Sequence, residues 1–176
     1  FVLKKVNITR IPGSCRLFKI YGILTMDNCI IAGHNGASVI DSSGSKDISI
    51  NNTIFENNVV TDYAIVYATS TTGNAIVENT VFRNNTGQLG IFKVSKKTNV
   101  KNSKFIDNTN VIGYGGAISD FDTLNVINST FINNKAAKDS GAINVGYNRV
   151  ATITQSTFIN NTANTAKDDY KGDAIS

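Results

Sequence analysis

Residues 128–134 read Asn-Ser-Thr-Phe-Ile-Asn-Asn and are one copy of a string, Asn-(Ser/Thr)-x-Phe-x-x-Asn, that recurs along the chain. The phenylalanine of the string returns every 23 to 27 residues, at Phe55, Phe82, Phe105, Phe131 and Phe158. An asparagine follows each of them by three residues, at Asn58, Asn85, Asn108, Asn134 and Asn161. Self-similarity at a nearly constant period is typical of architectures built by stacking one structural unit.

The composition of each unit favours strands over helices. The repeat contains short runs of Ile, Val and Thr that alternate with polar residues and are separated by Asn, Gly and Ser. Leucine is scarce and the chain has only two glutamates, which does not suit a helical repeat. A unit of ~25 residues made of short strands is about one rung of a parallel β-solenoid. The sequence therefore predicts an all-β parallel β-solenoid of about seven rungs.

Composition and charge limit the function classes. The chain has 176 residues, is 41% hydrophobic and carries a formal net charge of +4. This size fits one domain with a buried core, and the modest charge does not argue for nucleic acid. No apolar run approaches the ~18 residues of a membrane-spanning helix. Asparagine accounts for about one residue in seven, and we interpret this excess as amide ladders and turns, because Asn bonds to Asn along a stack and tolerates left-handed backbone.

A second string lies between the phenylalanine repeats, and its most complete copy is Gly-Gly-Ala-Ile at 115–118. Together with Phe-x-x-Asn it resembles the repeats of chlamydial polymorphic membrane proteins. It also resembles those of the adhesin-like surface proteins of methanogenic archaea. The resemblance covers residues 24–176. It implies a right-handed parallel β-helix on a cell surface that serves adhesion, and it implies no catalytic residues or cofactor.

The same resemblance sets expectations for organisation and location. We expect residues 1–23 to form an irregular first rung or N-terminal cap, and residues 24–176 to form the repeats of a single domain. We interpret the chain as a monomeric fragment of a longer extracellular surface protein, anchored through other parts of that protein.

Candidate contact residues are basic and aromatic. One rung and its neighbour carry a basic cluster, formed by Lys93, Lys96, Lys97, Lys101, Lys104 and Arg83. The cluster could meet acidic glycans or a negatively charged cell surface, or it could be a plain solvated edge. The tyrosines predicted to face outward are further candidates, namely Tyr63, Tyr67, Tyr114 and Tyr147.

The sequence also contains candidate residues for glycosylation and for a disulfide. Sequons at Asn51 and Asn84 make these residues candidates for glycosylation, although an Asn- and Thr-rich chain produces sequons by chance. Cys15 and Cys29 are the only cysteines and could form a disulfide in an exported protein. Alternatively, Cys29 occupies the small hydroxyl position of the repeat, where a buried free thiol would fit.

Enzymatic chemistry is the main alternative, since parallel β-helices also serve enzymes that cut acidic polysaccharides. Such sites need clustered acids on adjacent rungs, whereas the acids here scatter over the repeat. His34 is the only histidine and replaces a ladder asparagine, which suits a stacking role. We therefore predict a non-catalytic adhesin module without metal or cofactor that binds a glycan or protein of another cell. A polysaccharide lyase or hydrolase and a passive surface stalk are the alternatives.

Overall fold

The structure is a computed structural model that describes residues 1–10, 13–44, 46–119, 121–164 and 174–175. Its described part consists of 25 short strands joined by turns, and every strand pairs in parallel with strands one turn before or after it. No helix in this part is long and apolar enough to cross a membrane.

The first turn contains β1 (Val2–Lys4), β2 (Asn7–Thr9) and β3 (Phe18–Lys19). The second contains β4 (Leu24–Asp27), β5 (Ile30–Ala32), β6 (Asn35–Gly36) and β7 (Ile40–Asp41). The third contains β8 (Ile48–Asn51), β9 (Ile54–Glu56), β10 (Val59–Val60) and β11 (Ala64–Ala68). The fourth contains β12 (Asn74–Glu78), β13 (Val81–Arg83), β14 (Thr86–Gly87) and β15 (Gly90–Val94).

The fifth turn contains β16 (Lys97–Lys101), β17 (Lys104–Ile106), β18 (Thr109–Asn110) and β19 (Ile118–Ser119). The sixth contains β20 (Thr123–Ile127), β21 (Thr130–Ile132) and β22 (Lys135–Ala136). The seventh contains β23 (Val150–Thr154), β24 (Thr157–Ile159) and β25 (Thr162–Ala163).

These strands stack into four parallel sheets that wrap one elongated core. In chain order within a turn, the first sheet is β1-β4-β8-β12-β16-β20-β23 and the second is β2-β5-β9-β13-β17-β21-β24. The third is β6-β10-β14-β18-β22-β25 and the fourth is β3-β7-β11-β15-β19. Two sheets of seven strands correspond to about six full turns from the first strand to the last. The predicted all-β parallel solenoid of about seven rungs is confirmed.

Left-handed residues make the sharp corners between sheets. The corner between the first and second sheets has φ between 47° and 55° at Asn28, Asn52, Asn79, Asn102, Asn128 and Gln155. The corner between the second and third sheets has φ between 50° and 54° at Asn57, Asn84, Asp107, Asn133 and Asn160. Asparagine adopts this region at a lower cost than most residues because its short side chain can bond locally. Part of the asparagine excess is therefore backbone geometry.

Aromatic stacking fills the core on the side of the second sheet. The rings of Phe55, Phe82, Phe105, Phe131 and Phe158 lie one above the next with centroids 4.7 to 5.0 Å apart and planes within 5° of parallel. This spacing equals the distance between paired strands, since equivalent residues of a parallel ladder lie in register. The aliphatic residues of the first sheet belong to the same core cluster, and Phe92 of the fourth sheet packs against Phe82 with ring centroids 6.0 Å apart.

A buried ladder of asparagine side chains runs beside the phenylalanine stack. Asn58 Nδ2 donates to Asn85 Oδ1 at 2.9 Å, and the same bond links Asn85 to Asn108, Asn108 to Asn134 and Asn134 to Asn161. Each amide also bonds backbone groups: Asn108 Nδ2 donates to the Phe82 carbonyl at 2.9 Å, and Asn108 Oδ1 accepts from the Asn85 N–H at 3.1 Å.

Truncation of one ladder amide should destabilise the solenoid strongly. Asn108→Ala leaves the Phe82 carbonyl, the Asn85 N–H and the Asn85 side-chain amide without this partner, and all are buried. We expect the free energy of unfolding to fall by about 3 kcal/mol or more, because each buried unpaired group costs 1–3 kcal/mol. Urea unfolding followed by circular dichroism measures this change.

The matched control is Asn125→Ala on the outside of the first sheet. Asn125 donates only a long 3.4 Å bond to Asn99 at the surface, so its loss should change stability by less than about 0.5 kcal/mol. Equal effects of the two substitutions would contradict the importance of the buried ladder.

Candidate binding face

The outer surface of the fourth sheet carries side chains of unlike chemistry. In β7, β11, β15 and β19 the residues Asp41, Tyr67, Lys93 and Ser119 lie in register and form one column. The neighbouring column, Ile40, Val66, Phe92 and Ile118, is buried in the core. Alternation along each strand therefore directs the first column outward. We call this outer surface, together with the adjoining Tyr63 and Tyr114, the tyrosine face.

Two stacked tyrosines lie in the middle of the tyrosine face. The ring centroids of Tyr63 and Tyr67 are 4.5 Å apart and the ring planes are 16° from parallel. Both side chains are partly exposed. The Arg16 guanidinium lies 5.8 Å from the centre of the Tyr63 ring. Rigid, half-exposed aromatic rings with polar tips are favoured elements of binding surfaces because little side-chain entropy is lost when a partner covers them.

An arginine joins two carboxylates beside these rings. Arg16 Nε lies 2.8 Å from Asp41 Oδ2, and the other end of the guanidinium lies 3.7 Å from Asp62 Oδ2. The remaining oxygens accept bonds as well: Asp41 Oδ1 from the Ser43 N–H and Asp62 Oδ1 from the Ser38 hydroxyl, each at 3.1 Å. Every carboxylate oxygen of the pair thus has a protein partner, an arrangement that fixes the loop around the tyrosines.

A small pocket opens at the far end of the tyrosine face. Its volume is about 160 Å³. The lining residues are Leu89, Lys93, Ile112, Gly113, Tyr114, Ser119, Lys138 and Asn144. Lys138 Nζ lies 4.9 Å from the centre of the Tyr114 ring, a cation–π contact at the pocket mouth. The pocket combines positive charge, hydroxyl and amide groups with apolar walls, a mixture suited to a small polar ligand.

The basic cluster predicted from the sequence does not form one patch. Lys93 lies on the tyrosine face, Lys97 and Lys101 lie on the outside of the first sheet, and Lys104 and Arg83 lie on the outside of the second. Two of these charges pair with acids of the preceding turn: Arg83 Nε lies 2.7 Å from Glu56 Oε2, and Lys101 Nζ lies 3.6 Å from Glu78 Oε1. These residues are close in sequence, but the chain turns corners between them and so places them on different faces of the solenoid.

Lys96 contradicts the expectation of a solvated cluster. Its side chain is 0% exposed and Nζ donates to the Thr72 carbonyl at 2.6 Å. Burial lowers the pKa of Lys96 below its ordinary value, and the nearby Asp47 carboxylate partly opposes this shift. Lys96 lies between β15 and β16. Its methylene chain packs inside the solenoid, and its ammonium group stabilises the loop that contains Thr72 on the preceding rung.

Of the two alternatives for the cysteines, the structure has the free thiols and not the disulfide. Cys15 is an exposed free thiol and Cys29 is a buried one. Cys29 takes the hydroxyl position of the repeat: its N–H lies 3.4 Å from Thr53 Oγ1, and its Sγ lies 3.4 Å from the Asp27 carbonyl. Thr53 makes the equivalent hydroxyl bond one turn later, to the Asn51 carbonyl at 2.8 Å. A thiol therefore substitutes for a hydroxyl in a buried ladder.

The two glycosylation candidates differ in accessibility. Asn84 is exposed at the corner between the second and third sheets. Asn51 is half-buried, and its Nδ2 donates to Asp27 Oδ1 at 3.4 Å while its Oδ1 accepts from Asn79. Geometry favours Asn84 as the acceptor, and glycosylation of either residue stays a prediction.

The structure also places the predicted outward tyrosines and His34. Of the predicted outward tyrosines, Tyr63, Tyr67 and Tyr114 lie on the tyrosine face, whereas Tyr147 is 93% exposed in the loop before β23. His34 is buried at the start of the asparagine ladder, where its backbone N–H donates to Asn58 Oδ1 at 3.0 Å. Within the described residues no group of three or more His, Cys, Asp or Glu could hold a metal ion.

Sequence reasoning missed Arg16, Asp62 and Lys138 as parts of this face. All three belong to loops outside the aligned repeat, so the repeat pattern gives no position for them. The signal that could have found them is the register of the fourth sheet, which places successive loops next to each other once the rungs are aligned.

Comparison with known proteins identifies the family. Residues 1–164 match the family model described as a right-handed beta helix region, and the chain belongs to this family. No curated protein and no solved structure matches the chain significantly. The match agrees with the parallel solenoid and covers every complete turn that the structure describes. Members of a fold this widespread differ in function, so the outer residues must carry the functional argument.

The buried ammonium of Lys96 should make stability depend on pH. Because the pKa of Lys96 is lower in the folded chain than the ordinary 10.5, the unfolded chain binds more protons between these two values. The free energy of unfolding should therefore rise as the pH rises through this interval towards 10.5, and fall again as the pH is lowered.

Lys96→Met tests this expectation because it keeps most of the side-chain volume and removes the charge. Urea unfolding of both proteins between pH 8 and pH 10 should show a flatter pH dependence for the variant. Lys97→Met, at the exposed neighbouring position, should keep the slope of the unsubstituted chain. If Lys96→Met left the slope unchanged, the lysine would not be the group that titrates.

Proposed function

We propose that this chain is a non-catalytic binding module of an extracellular surface protein, and that its tyrosine face contacts a glycan or a protein on another cell. The resemblance of its repeats to those of adhesin-like surface proteins motivates the cellular setting. The stacked Tyr63 and Tyr67 carry the proposal, since aromatic anchors of this kind dominate the energetics of binding surfaces.

The solenoid supports this role mechanically. Inward residues are locked by the phenylalanine stack and the buried amide ladder, so the strands that display the tyrosine face are rigid. A preorganised surface loses little conformational entropy when it binds. Neighbouring rungs hold their side chains at intervals of ~4.8 Å, which presents repeated contacts to an extended ligand.

The placement of the acids favours binding over catalysis. Hydrolysis of a glycosidic bond uses one carboxylic acid and one carboxylate that both face the substrate. Asp41 and Asp62 are the paired acids of the tyrosine face, and both bond to Arg16 and to nearby serine groups. These bonds direct the carboxylates towards the protein, so we assign them to support of the tyrosine loop.

A binding screen with tyrosine variants tests the proposal. The chain is screened against a glycan array and intact cells, and the affinity of the best ligand is then measured for Tyr63→Ala and Tyr67→Ala. We expect each substitution to weaken binding about tenfold or more, because loss of an aromatic anchor costs upwards of ~1.4 kcal/mol. Tyr147→Ala is the matched control, since this tyrosine lies outside the fourth sheet and is almost fully exposed.

Two results would contradict the proposal in different ways. Absence of any ligand for the unsubstituted chain would favour a stalk that only spaces other domains. Release of shortened saccharides from a bound glycan would favour a lyase or hydrolase.

A further inference from the structure

We propose that the open edge of the first turn binds an extended acidic segment of another protein, which adds to the solenoid as one more parallel strand. We call this surface the first-turn edge and define it as β1, β2 and the corner residues Lys5 and Arg10. Within the described residues, β1 pairs only with β4 and β2 only with β5, both on the second turn. The first-turn edge is separate from the tyrosine face, so the inference goes beyond the proposed function.

Backbone groups along the first-turn edge are oriented to pair with a further strand. The Phe1 carbonyl accepts from the Thr25 N–H at 2.9 Å, and the Lys5 N–H donates to the Asp27 carbonyl at 3.0 Å. Backbone groups of successive residues point to opposite sides of a strand, so every second residue points away from the second turn. The residues with this orientation are Val2, Lys4, Asn7 and Thr9. Such a row of groups is a template for strand addition.

The core is also less covered at this end of the solenoid. Leu3 and Ile8 lie in register with Met26 and Ile31 of the second turn. Met26 and Ile31 are 0% exposed, whereas Leu3 and Ile8 are only partly buried. An added strand with apolar residues at alternate positions would cover Leu3 and Ile8, and the burial of apolar surface would favour its binding.

The charge of the first turn favours an acidic partner. The first 26 residues contain five basic residues and no acidic one. Lys4, Lys5 and Arg10 are exposed, and no ion pair joins any of them to another described residue. Asp27 lies in register with Lys4 on the second turn, but its carboxylate accepts from two asparagine side chains instead. An acidic strand beside the first turn would supply these cations with partners.

Ion pairs between other turns show how such a strand would be recognised. Arg83 lies in register with Glu56 of the preceding turn, and its Nε is 2.7 Å from Glu56 Oε2. Lys101 pairs in the same way with Glu78, whose Oε1 lies 3.6 Å from Lys101 Nζ. In both pairs the acid belongs to the turn before the cation. Lys4 lies in the same column as Lys101, so an acidic residue of the added strand would repeat the second pair.

The two corner cations are in a conformation that lysine and arginine seldom adopt. Lys5 has a φ of 54° and Arg10 a φ of 52°. At the equivalent corners the later turns have asparagine in most copies and no basic residue. Because asparagine adopts left-handed backbone at a lower cost, Lys5 and Arg10 do not serve the stability of the corners. Strain of this kind is characteristic of functional sites, which supports a role for the two charges.

A second copy of this chain is a poorer match for the first-turn edge. Stacking of two copies end to end would place β23, β24 and β25 against the first turn. These strands contain no acidic residue, so they offer no partner to Lys4, Lys5 or Arg10. Charge complementarity therefore favours a partner of different sequence.

The test compares two capped peptides of the same composition. One consists of four Val-Glu repeats, and in the other four valines precede four glutamates. Calorimetric titration of the 176-residue chain should show about tenfold or tighter binding of the alternating peptide, because only this order places valine inward and glutamate outward along a strand. Amide hydrogen exchange of Lys4, Asn7 and Thr9 should slow in the complex, whereas exchange in β23 should not change.

Replacement of both corner cations by the asparagine of the repeat separates binding from folding. Lys5→Asn with Arg10→Asn should weaken binding of the alternating peptide about fivefold or more, because two charge pairs are lost. The urea midpoint should stay the same or rise, since asparagine suits the left-handed backbone better. Lys97→Gln with Lys104→Gln is the charge-matched control, because both lysines are exposed on the fifth turn, and it should keep the affinity.

Three results would overturn the inference. Equal affinity for the two peptides, or unchanged exchange at Lys4, Asn7 and Thr9, would show charge attraction without strand addition. Binding to vesicles that contain phosphatidylserine, without binding to either peptide, would assign the first-turn edge to a membrane surface. Self-association of the chain that the double asparagine variant abolishes would assign the edge to a second copy.

Discussion

The buried asparagine ladder is the interaction on which the rest of the structure depends. A side-chain amide has both donors and an acceptor, so asparagine can repeat without limit along a stack and satisfy itself. Asn85, Asn108 and Asn134 each bond the next amide and the backbone of the neighbouring turns. This fixes the register between turns, and once the register is fixed every other residue of the repeat falls into a column. The phenylalanine stack then adds buried area along the same axis.

The same residue type performs a second task at the corners. Asparagines at Asn79, Asn102 and Asn128 have positive φ and also bond each other along the outside, as from Asn102 to Asn79 at 3.2 Å. One composition anomaly therefore has two physical causes, a polar ladder inside and a backbone requirement outside. The last copy replaces the corner asparagine by Gln155, which adopts the same conformation. The corner therefore requires a left-handed backbone conformation more strictly than it requires an asparagine side chain.

The fold was predictable from the sequence because its cause repeats, whereas much of the binding face does not repeat. Five copies of Phe-x-x-Asn define the rung, its length and its inward residues. The repeat also placed Tyr67 beside a strand, although its facing direction required the register of the fourth sheet. Arg16 and Lys138 could not be found in this way, because they lie in loops with no counterpart in other rungs. Lys96 is an error of another kind. The neighbouring lysines suggested that its side chain is exposed, whereas the structure buries it.

Repetition constrains the inside of a solenoid far more than the outside. The inward column of the fourth sheet consists of Ile40, Val66, Phe92 and Ile118, all apolar, while the outward column in the same strands reads Asp41, Tyr67, Lys93 and Ser119. Stacking energy cannot account for that outward order, because neighbours of unlike chemistry do not form a ladder. Loops of unequal length border this column, and Tyr114, Lys138 and Ser119 line a pocket at its end. The part of the molecule that departs from its own repeat is therefore the part best suited to recognise a particular ligand.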